Sequence, residues 1–318
     1  MHNALKGIRL DVLGLTIEGF SISGLATWMI IPQLDICFDM GECPLSAVPI
    51  NHVFLTHAHG DHSRCLLRHV ALRKMLGISR EASYFLPEQI VSNAYAMVEA
   101  SARFESGRYR SSRAPKFIGL SATSSAEVNP IPLTHRKNLG VRAFKAHHSV
   151  PSLGYTIYEL RRKLRKEFFG MPGVELAQLK KQGVEIEKSI ALPKVTFIGD
   201  CTIETLQQES HIWESPLLII ETTYINSKDR QIAQRRGHTH IEELGELLDH
   251  LGDRVQCEVI ILKHFSMKVK FAEAVHIALN VLPSQLHSRI YLFLDPDDSI
   301  EMVHAGKQHT LAEWGQLI

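Results

Sequence analysis

An α/β architecture, with strands at the core and helices laid over them, is what this 318-residue sequence predicts. Three observations lead there. Short β-prone runs alternate with helical stretches that are apolar on one side. Ionisable residues fall repeatedly at the ends of the apolar runs, at His57 to His62, His148, Asp200, Glu221 and His264. The composition, 45% hydrophobic and 22% charged, can fill a large core. Strand ends are where a layered fold collects chemistry, on loops held by a rigid scaffold. One repeated scheme predicts a single domain over residues 1–318 with one site.

Along the chain, Ile8–Leu13, Leu15–Ser21, Thr27–Ile31 and Leu34–Phe38 are β-prone runs punctuated by Gly14, Gly19, Gly24 and Pro32. Val53–Leu55 is a short strand leading into Thr56-His57-Ala58-His59-Gly60-Asp61-His62. Helical spacing follows at Cys65–Leu76 and Glu88–Phe104. The second half repeats the scheme, with strands at Val141–Lys145, Tyr155–Tyr158, Val195–Ile198, Leu217–Ile220, Val259–Leu262 and Ile290–Leu294. Its helices are Ile203–Gln208, Ile241–Leu251 and Phe271–Leu279. Residues 159–188 interrupt this rhythm: Arg161, Arg162, Lys163, Arg165, Lys166, Lys180 and Lys181 crowd a stretch containing Gly170, Pro172 and Gly173. That segment is an excursion from the core, and a solvated helical hairpin is its plain alternative.

Thirty-five Lys+Arg against 34 Asp+Glu exclude a histone-like cationic coat and an acidic disordered tail. Histidine is abundant, at 18 residues, and imidazole is both the commonest protein metal ligand and a group that titrates near neutrality. Five scattered cysteines, odd in number and without a C-x-x-C pair, suit a reducing cytoplasm rather than a disulfide framework. The N-terminal residues lack a signal-peptide core, and no uncharged apolar run reaches about 18 residues. The expectation is a cytoplasmic protein without a membrane span.

His-x-His-x-Asp-His at 57–62 is the strongest signal. Three imidazoles and a carboxylate in six residues cannot all bind one ion, but alternate members of a tight turn can face two. Nitrogen and oxygen donors without thiolate suit Zn²⁺, with Mn²⁺ or Fe²⁺ as related possibilities. Later strand ends offer more donors: His147 and His148, the carboxylate of Asp200, and His264. Each alone is equally a cap or a satisfied strand-end histidine. His238 stands before the helix Ile241–Leu251, with Thr239 as a possible cap. Glu221 could orient His238 or a metal-facing histidine.

In this order the motifs resemble those of the metallo-β-lactamase superfamily and, more narrowly, the short form of the tRNase Z family. The similarity extends from about Gly19 to Leu294 and includes Phe38-Asp39-Met40-Gly41, Phe169–Ile186 and Gly237-His238-Thr239-His240. The resemblance implies a four-layer αββα sandwich with a protruding basic arm over residues 156–194. It implies two divalent ions: His57, His59 and His148 on one, Asp61, His62 and His264 on the other, and Asp200 between them. His148, not His147, precedes the x-Val-Pro-x-x-Gly-Tyr run and takes the ligand role. His238 takes the place of the family's proton donor, with His240 as a minor alternative. The sequence departs from the family at Ser266-Met267-Lys268-Val269 and at Cys201, and lacks a Pro-x-Lys-x-Arg-Asn loop.

The implied activity is zinc-dependent removal of 3′ trailers from precursor tRNA. Asp61 orients the attacking water or takes its proton, and His238 protonates the departing 3′-oxygen. From Tyr155 to Lys194 there are nine Lys/Arg against five Asp/Glu, a basic patch within a near-neutral chain. By resemblance this arm, through Arg161, Arg162, Lys163, Arg165, Lys166, Lys180 and Lys181, grips the tRNA, and the short forms are homodimers. Arg108, Arg110, Arg113 and Lys116 form a second basic area or only a solvated loop. Two other readings compete. A phosphodiesterase for small or cyclic nucleotides would use the same metals without the arm. A non-catalytic RNA-binding protein with structural metals would not need His238.

Overall fold

The computed structural model describes residues 7–108, 114–123, 129–295 and 308–317. Arg110, Arg113, His2 and His304 lie outside the described residues. Two sheets form the centre. The first runs in the order β1 (Ile8–Val12), β2 (Leu15–Ser23), β3 (Ala26–Ile31), β4 (Ile36–Phe38), β5 (His52–Phe54), β6 (Ser83–Pro87) and β7 (Lys116–Leu120). The second holds β8 (Ile131–Leu133), β9 (Arg136–Lys145), β10 (Leu153–Leu164), β11 (Glu187–Ile198), β12 (Leu217–Glu221), β13 (Val259–Lys263) and β15 (Ile290–Leu292), with β13 between β12 and β15. In both, antiparallel pairs give way to parallel ones, from β4 to β7 and from β11 to β15.

Side-chain alternation shows why the sheets stack. Along β12 and β13, Leu217, Ile219, Val259 and Ile261 pack between the sheets with Phe38, Phe54 and Phe197. Leu218, Ile220, Ile260 and Leu262 face the opposite way, toward α5 (Ile203–Gln208), α7 (Ile241–Leu251) and α8 (Phe271–Val281). On the far side of the first sheet, Trp28, Ile30, Val53 and Tyr84 pack with residues of α2 (Leu66–Met75) and α3 (Val91–Ser106). Three apolar seams therefore bind four layers, α–β–β–α, and strands covered on both faces read as continuous apolar runs.

Several elements differ from the sequence expectation. β6, β7 and β8 were not anticipated, being short runs carrying Pro87, Lys116 and Pro132. The Leu34–Phe38 strand is divided: Asp35 adopts φ +57° and its carboxylate accepts from the backbone and side chain of Asn51, so the strand starts at Ile36. Residues 159–188 are not a helical hairpin. β10 and β11 remain paired outward to Leu164 opposite Glu187, well beyond the buried part of either strand, and carry α4 (Gly173–Lys181), which buries no residue. Among the described residues, no helix is long and apolar enough to cross a membrane.

β13 and the two-residue strand β14 (Phe265–Ser266) belong to different sheets, since β14 pairs with Ile22 and Ser23 of β2. His264 is the single residue between them and adopts the left-handed φ of +64° that the sharp crossover needs. The fold thus holds His264 at the seam where the two sheets meet.

Candidate metal centre

Each half of the sandwich delivers side chains to this seam from the loops after its strands. After β5 come Thr56, His57, His59 and the four-residue helix α1 (Gly60–Ser63), with Asp61 and His62. The loop after β4 packs on α1 so closely that a Cβ at Gly41 would lie 1.8 Å from the Asp61 carbonyl oxygen; only glycine fits. The second sheet contributes His148 after β9, Asp200 after β11, Glu221 ending β12 and His264 after β13.

These groups converge. Ligand atoms of His57, His59, His148 and Asp200 lie within 4.8 Å of one another, as do those of Asp61, His62 and His264, and those of Asp200, His238 and His264. His59 Nδ1 is 3.0 Å from His57 Nε2 and 3.3 Å from His148 Nε2. His62 Nε2 and His264 Nε2 are 3.2 Å apart. Asp200 stands between the groups, Oδ2 at 3.7 Å from His57 and Oδ1 at 3.3 and 3.4 Å from His62 and His264. Asp61 accepts from the Gly24 N–H at 2.8 Å and its Oδ2 is 3.7 Å from His264 Nε2.

Hydrogen bonds on the outer side of each ring settle which nitrogen faces inward. Asp39 accepts from the Thr56 backbone N–H at 2.7 Å and from the Thr56 hydroxyl at 3.0 Å. Its Oδ2 also takes the His62 Nδ1 proton at 2.8 Å. The Thr56 hydroxyl, having donated, accepts from His57 Nδ1 at 3.0 Å. In the other half, Thr223 donates to Glu221 at 2.6 Å and accepts from His264 Nδ1 at 2.9 Å. His148 Nδ1 donates to the Gly237 carbonyl at 2.8 Å. The inward nitrogens of His57, His62, His148 and His264 are thus lone pairs facing one another, and Asp200 Oδ1 is buried with no hydrogen-bond partner. Such convergence of acceptors fits a divalent cation, with the outer partners fixing each ligand ring.

Three of these four rings favour the neutral form this requires; His62 is the exception, and an incoming cation would have to displace its proton. Burial, reinforced by neighbouring imidazoles, holds His57 well below its ordinary value, and burial lowers His148 and His264 as well. Burial would lower His62 too, but Asp200 and Asp39 on either side push it up to about 10. The surrounding imidazoles hold Asp200 well below the carboxylate range despite its burial. For Asp61, burial opposes the shift, but the His264 hydrogen bond and the charge of His62 lower it.

His238 lies against the centre, its ring 5.4 Å from that of His148 and 5.7 Å from that of His264. Its Nδ1 donates to Glu221 Oε1 at 2.9 Å. Burial disfavours the cation, yet the Glu221 carboxylate prevails and His238 is pushed up to about 9. Glu221 is fully buried and also accepts from the backbone N–H groups of Cys201, Thr239 and Thr223. It therefore ties three loops of the second sheet together. Gly237 closes α6 (Arg230–Arg236) at φ +76° and brings its carbonyl to His148; a Cβ there would lie 2.7 Å from His148 Nδ1.

His147 turns elsewhere, toward Thr205, at 2.7 Å from its N–H and 3.3 Å from its Nδ1. The helix α7 is capped by His240, not Thr239: His240 Nδ1 accepts from the Glu242 N–H at 3.2 Å and Glu243 completes a capping box. Thr239 donates instead to the Cys201 carbonyl. Sequence reasoning gave no role to Asp39, Thr56 or Thr223; their signal was position alone, one or two residues beyond a strand and beside a motif residue. The seven basic residues Arg161, Arg162, Lys163, Arg165, Lys166, Lys180 and Lys181 stand apart from the centre, on the outer parts of β10 and β11 and the segment between them. Arg161 pairs with Glu159, Arg165 with Glu185, and Arg162 and Lys180 with Glu187.

No family model matches the chain. It is 31% identical over 285 residues to tRNase Z TRZ1 of Arabidopsis thaliana, covering 89% of this chain and 96% of that protein. It is 24% identical over 290 residues to zinc phosphodiesterase ELAC protein 1 of Mus musculus, covering 73% of this chain and 78% of that protein. A metallo-beta-lactamase fold protein, YhfI from Bacillus subtilis, superposes with a TM-score of 0.52 at 15% identity, over 83% of this chain and 90% of that one, a likeness of fold.

Proposed function

Because this chain belongs to the tRNase Z family, with its metallo-β-lactamase fold, we propose that it is a zinc-dependent endoribonuclease that removes 3′ trailers from precursor tRNA. The observation that carries this reading is the pairing of two convergent donor groups, joined by Asp200, with a histidine held cationic at their edge by Glu221. His57, His59 and His148 would hold one ion, and Asp61, His62 and His264 the other, with Asp200 shared. A pair of such ions, when bound, polarises a phosphodiester and makes water nucleophilic near neutral pH.

The chain's own residues supply the rest. Asp61, whose carboxylate stays ionised, orients the attacking water or receives its proton. His238, whose cation the Glu221 carboxylate favours, gives its proton to the departing 3′-oxygen, a contribution of about 10²–10⁴-fold. Glu221 holds the ring and stabilises the cation before transfer. The products are a tRNA with a 3′-hydroxyl and a trailer with a 5′-phosphate, and no 2′-hydroxyl takes part as nucleophile. Arg161, Arg162, Lys163, Arg165, Lys166, Lys180 and Lys181 would bind tRNA phosphates; their exposed ion pairs are worth little and exchange readily for phosphate. By family likeness the protein would work as a cytoplasmic homodimer, which its mass in solution tests.

Metal-loaded protein is tested on a trailer-bearing precursor tRNA, an unstructured RNA and a model phosphodiester. Cleavage of the precursor at the trailer junction supports the reading; turnover of the model ester with no cut in any precursor overturns it in favour of a small-nucleotide phosphodiesterase. Shortening β10 and β11 to remove residues 161–189 should abolish precursor cleavage while ester turnover persists.

A further inference from the structure

A cleft of about 680 Å³ opens beside the metal centre, with His148 and Gly237 in its wall. Two cations from different elements line it. Lys145 ends β9, three residues before His148, and Arg235 lies in the last turn of α6, two residues before Gly237. The hydrogen bond from His148 Nδ1 to the Gly237 carbonyl ties these two walls together. Both cations are exposed, and among the described residues neither has an ion-pair partner. In the arm, by contrast, Arg161, Arg162, Arg165 and Lys180 each meet a carboxylate. The one carboxylate of the cleft, Glu204, is already engaged by Thr202 and Gln234. A wall with two unmatched positive charges, next to a centre built for a phosphodiester, suits a second phosphate.

The proton donor gives this cleft a direction. His238 serves the departing 3′-oxygen, so the nucleoside that keeps that oxygen lies on the His238 side, and Gly237 beside it is cleft wall. Asp61, which serves the attacking water, stands with His62 and His264 and is not part of the cleft. In an in-line displacement the attacking and leaving oxygens lie on opposite sides of phosphorus. Resting on the trailer-processing reading, we infer that the cleft holds the strand on the tRNA side of the cut, with Lys145 and Arg235 meeting the phosphate of the linkage immediately 5′ of the scissile one. The pair reads no base, since a phosphate carries no sequence information. It fixes the register in which the scissile phosphodiester reaches the metals. The trailer then leaves away from the cleft.

The test uses metal-loaded protein and three forms of one precursor: fully charged, and with a single uncharged methylphosphonate at the linkage just 5′ or just 3′ of the scissile one. The two adjoining 2′-hydroxyls are methylated in every form. The 5′ substitution should lower kcat/KM about tenfold, mostly through KM, and the 3′ substitution should not. In Lys145→Ala with Arg235→Ala, metal content verified, the 5′ ratio should fall to near one. The charge-keeping pair Lys145→Arg with Arg235→Lys should retain it. Indifference of the unaltered protein to the 5′ charge overturns the inference. So does a penalty at the 3′ linkage alone, which would put the trailer in the cleft, or a 5′ penalty that survives the double alanine change. If the charged precursor is not cut, the trailer-processing reading fails separately. The same ratios are then taken on a short RNA with the same linkages, and an enzyme that cuts none of them overturns both.

Discussion

The two sheets solve the same problem with nearly the same parts. In the first, a buried carboxylate, Asp39, takes the proton of one histidine directly, His62, and reaches a second, His57, through the Thr56 hydroxyl. In the second, the buried carboxylate Glu221 takes the proton of His238 directly and reaches His264 through the Thr223 hydroxyl. The difference lies in where the directly held ring goes. His62 faces the donor atoms of His264 and Asp200, whereas His238 stands at the edge of the centre. In the proposed enzyme one relay would serve two metal-facing rings, and the other one such ring and one proton donor. Similar hydrogen bonding would then support different chemistry according to which ring the strand end presents.

The largest effect should come from the second sheet's remaining donor. His148→Ala should lose metal, measured by elemental analysis, and with it nearly all turnover. His147→Ala, whose ring bonds to Thr205, should keep both, and equal metal content in the two variants would refute the assignment. Next comes the edge histidine. His238→Ala should retain its metal but lose about 10²–10⁴-fold in turnover; undiminished kcat would remove its role as acid.

Matched changes in the two carboxylates sharpen the contrast further. Asp39→Asn should weaken metal binding about 10–100-fold, since it loosens His62 and His57 together. Glu221→Gln should lower kcat with metal at saturation, because His238 loses the charge that keeps it protonated. If both variants differed from the parent only in metal affinity, the division of labour between the relays would be wrong.

What could be read from sequence follows the same division. The first sheet's donors occupy six consecutive residues, and their spacing was visible at once. The second sheet delivers its donors singly, with 52 positions separating His148 from Asp200 and 64 separating Asp200 from His264. Family likeness, not local pattern, connected them. Asp39, Thr56 and Thr223 remained unassigned because an Asp or Thr after a strand is equally an ordinary turn or cap. The layered class was legible from the apolar runs, while the paired length of β10 and β11 was not, since their outer halves are polar and carry no burial signal.

The last effect, on stability and not on turnover, concerns a histidine that both relays lack. His69, in α2, is fully buried, yet both ring nitrogens meet neutral groups: Nδ1 is 2.9 Å from the Tyr84 hydroxyl and Nε2 3.1 Å from the Ala47 carbonyl. With no carboxylate to hold a proton, burial lowers its pKa to about 4. The unfolded chain takes up that proton near pH 6.5 and the folded protein only near 4, so stability from neutral His69 is present above pH 6.5 and is lost as pH falls to about 4. At about 1.4 kcal/mol per pH unit the loss is on the order of 3 kcal/mol. Urea unfolding of the parent and of His69→Gln between pH 7 and 4 measures it. A glutamine amide does not titrate in this range, so the variant should start less stable at pH 7 and converge on the parent as the pH falls. A constant gap across the range would mean that His69 binds its proton equally well folded and unfolded, and that burial between neutral groups does not lower it.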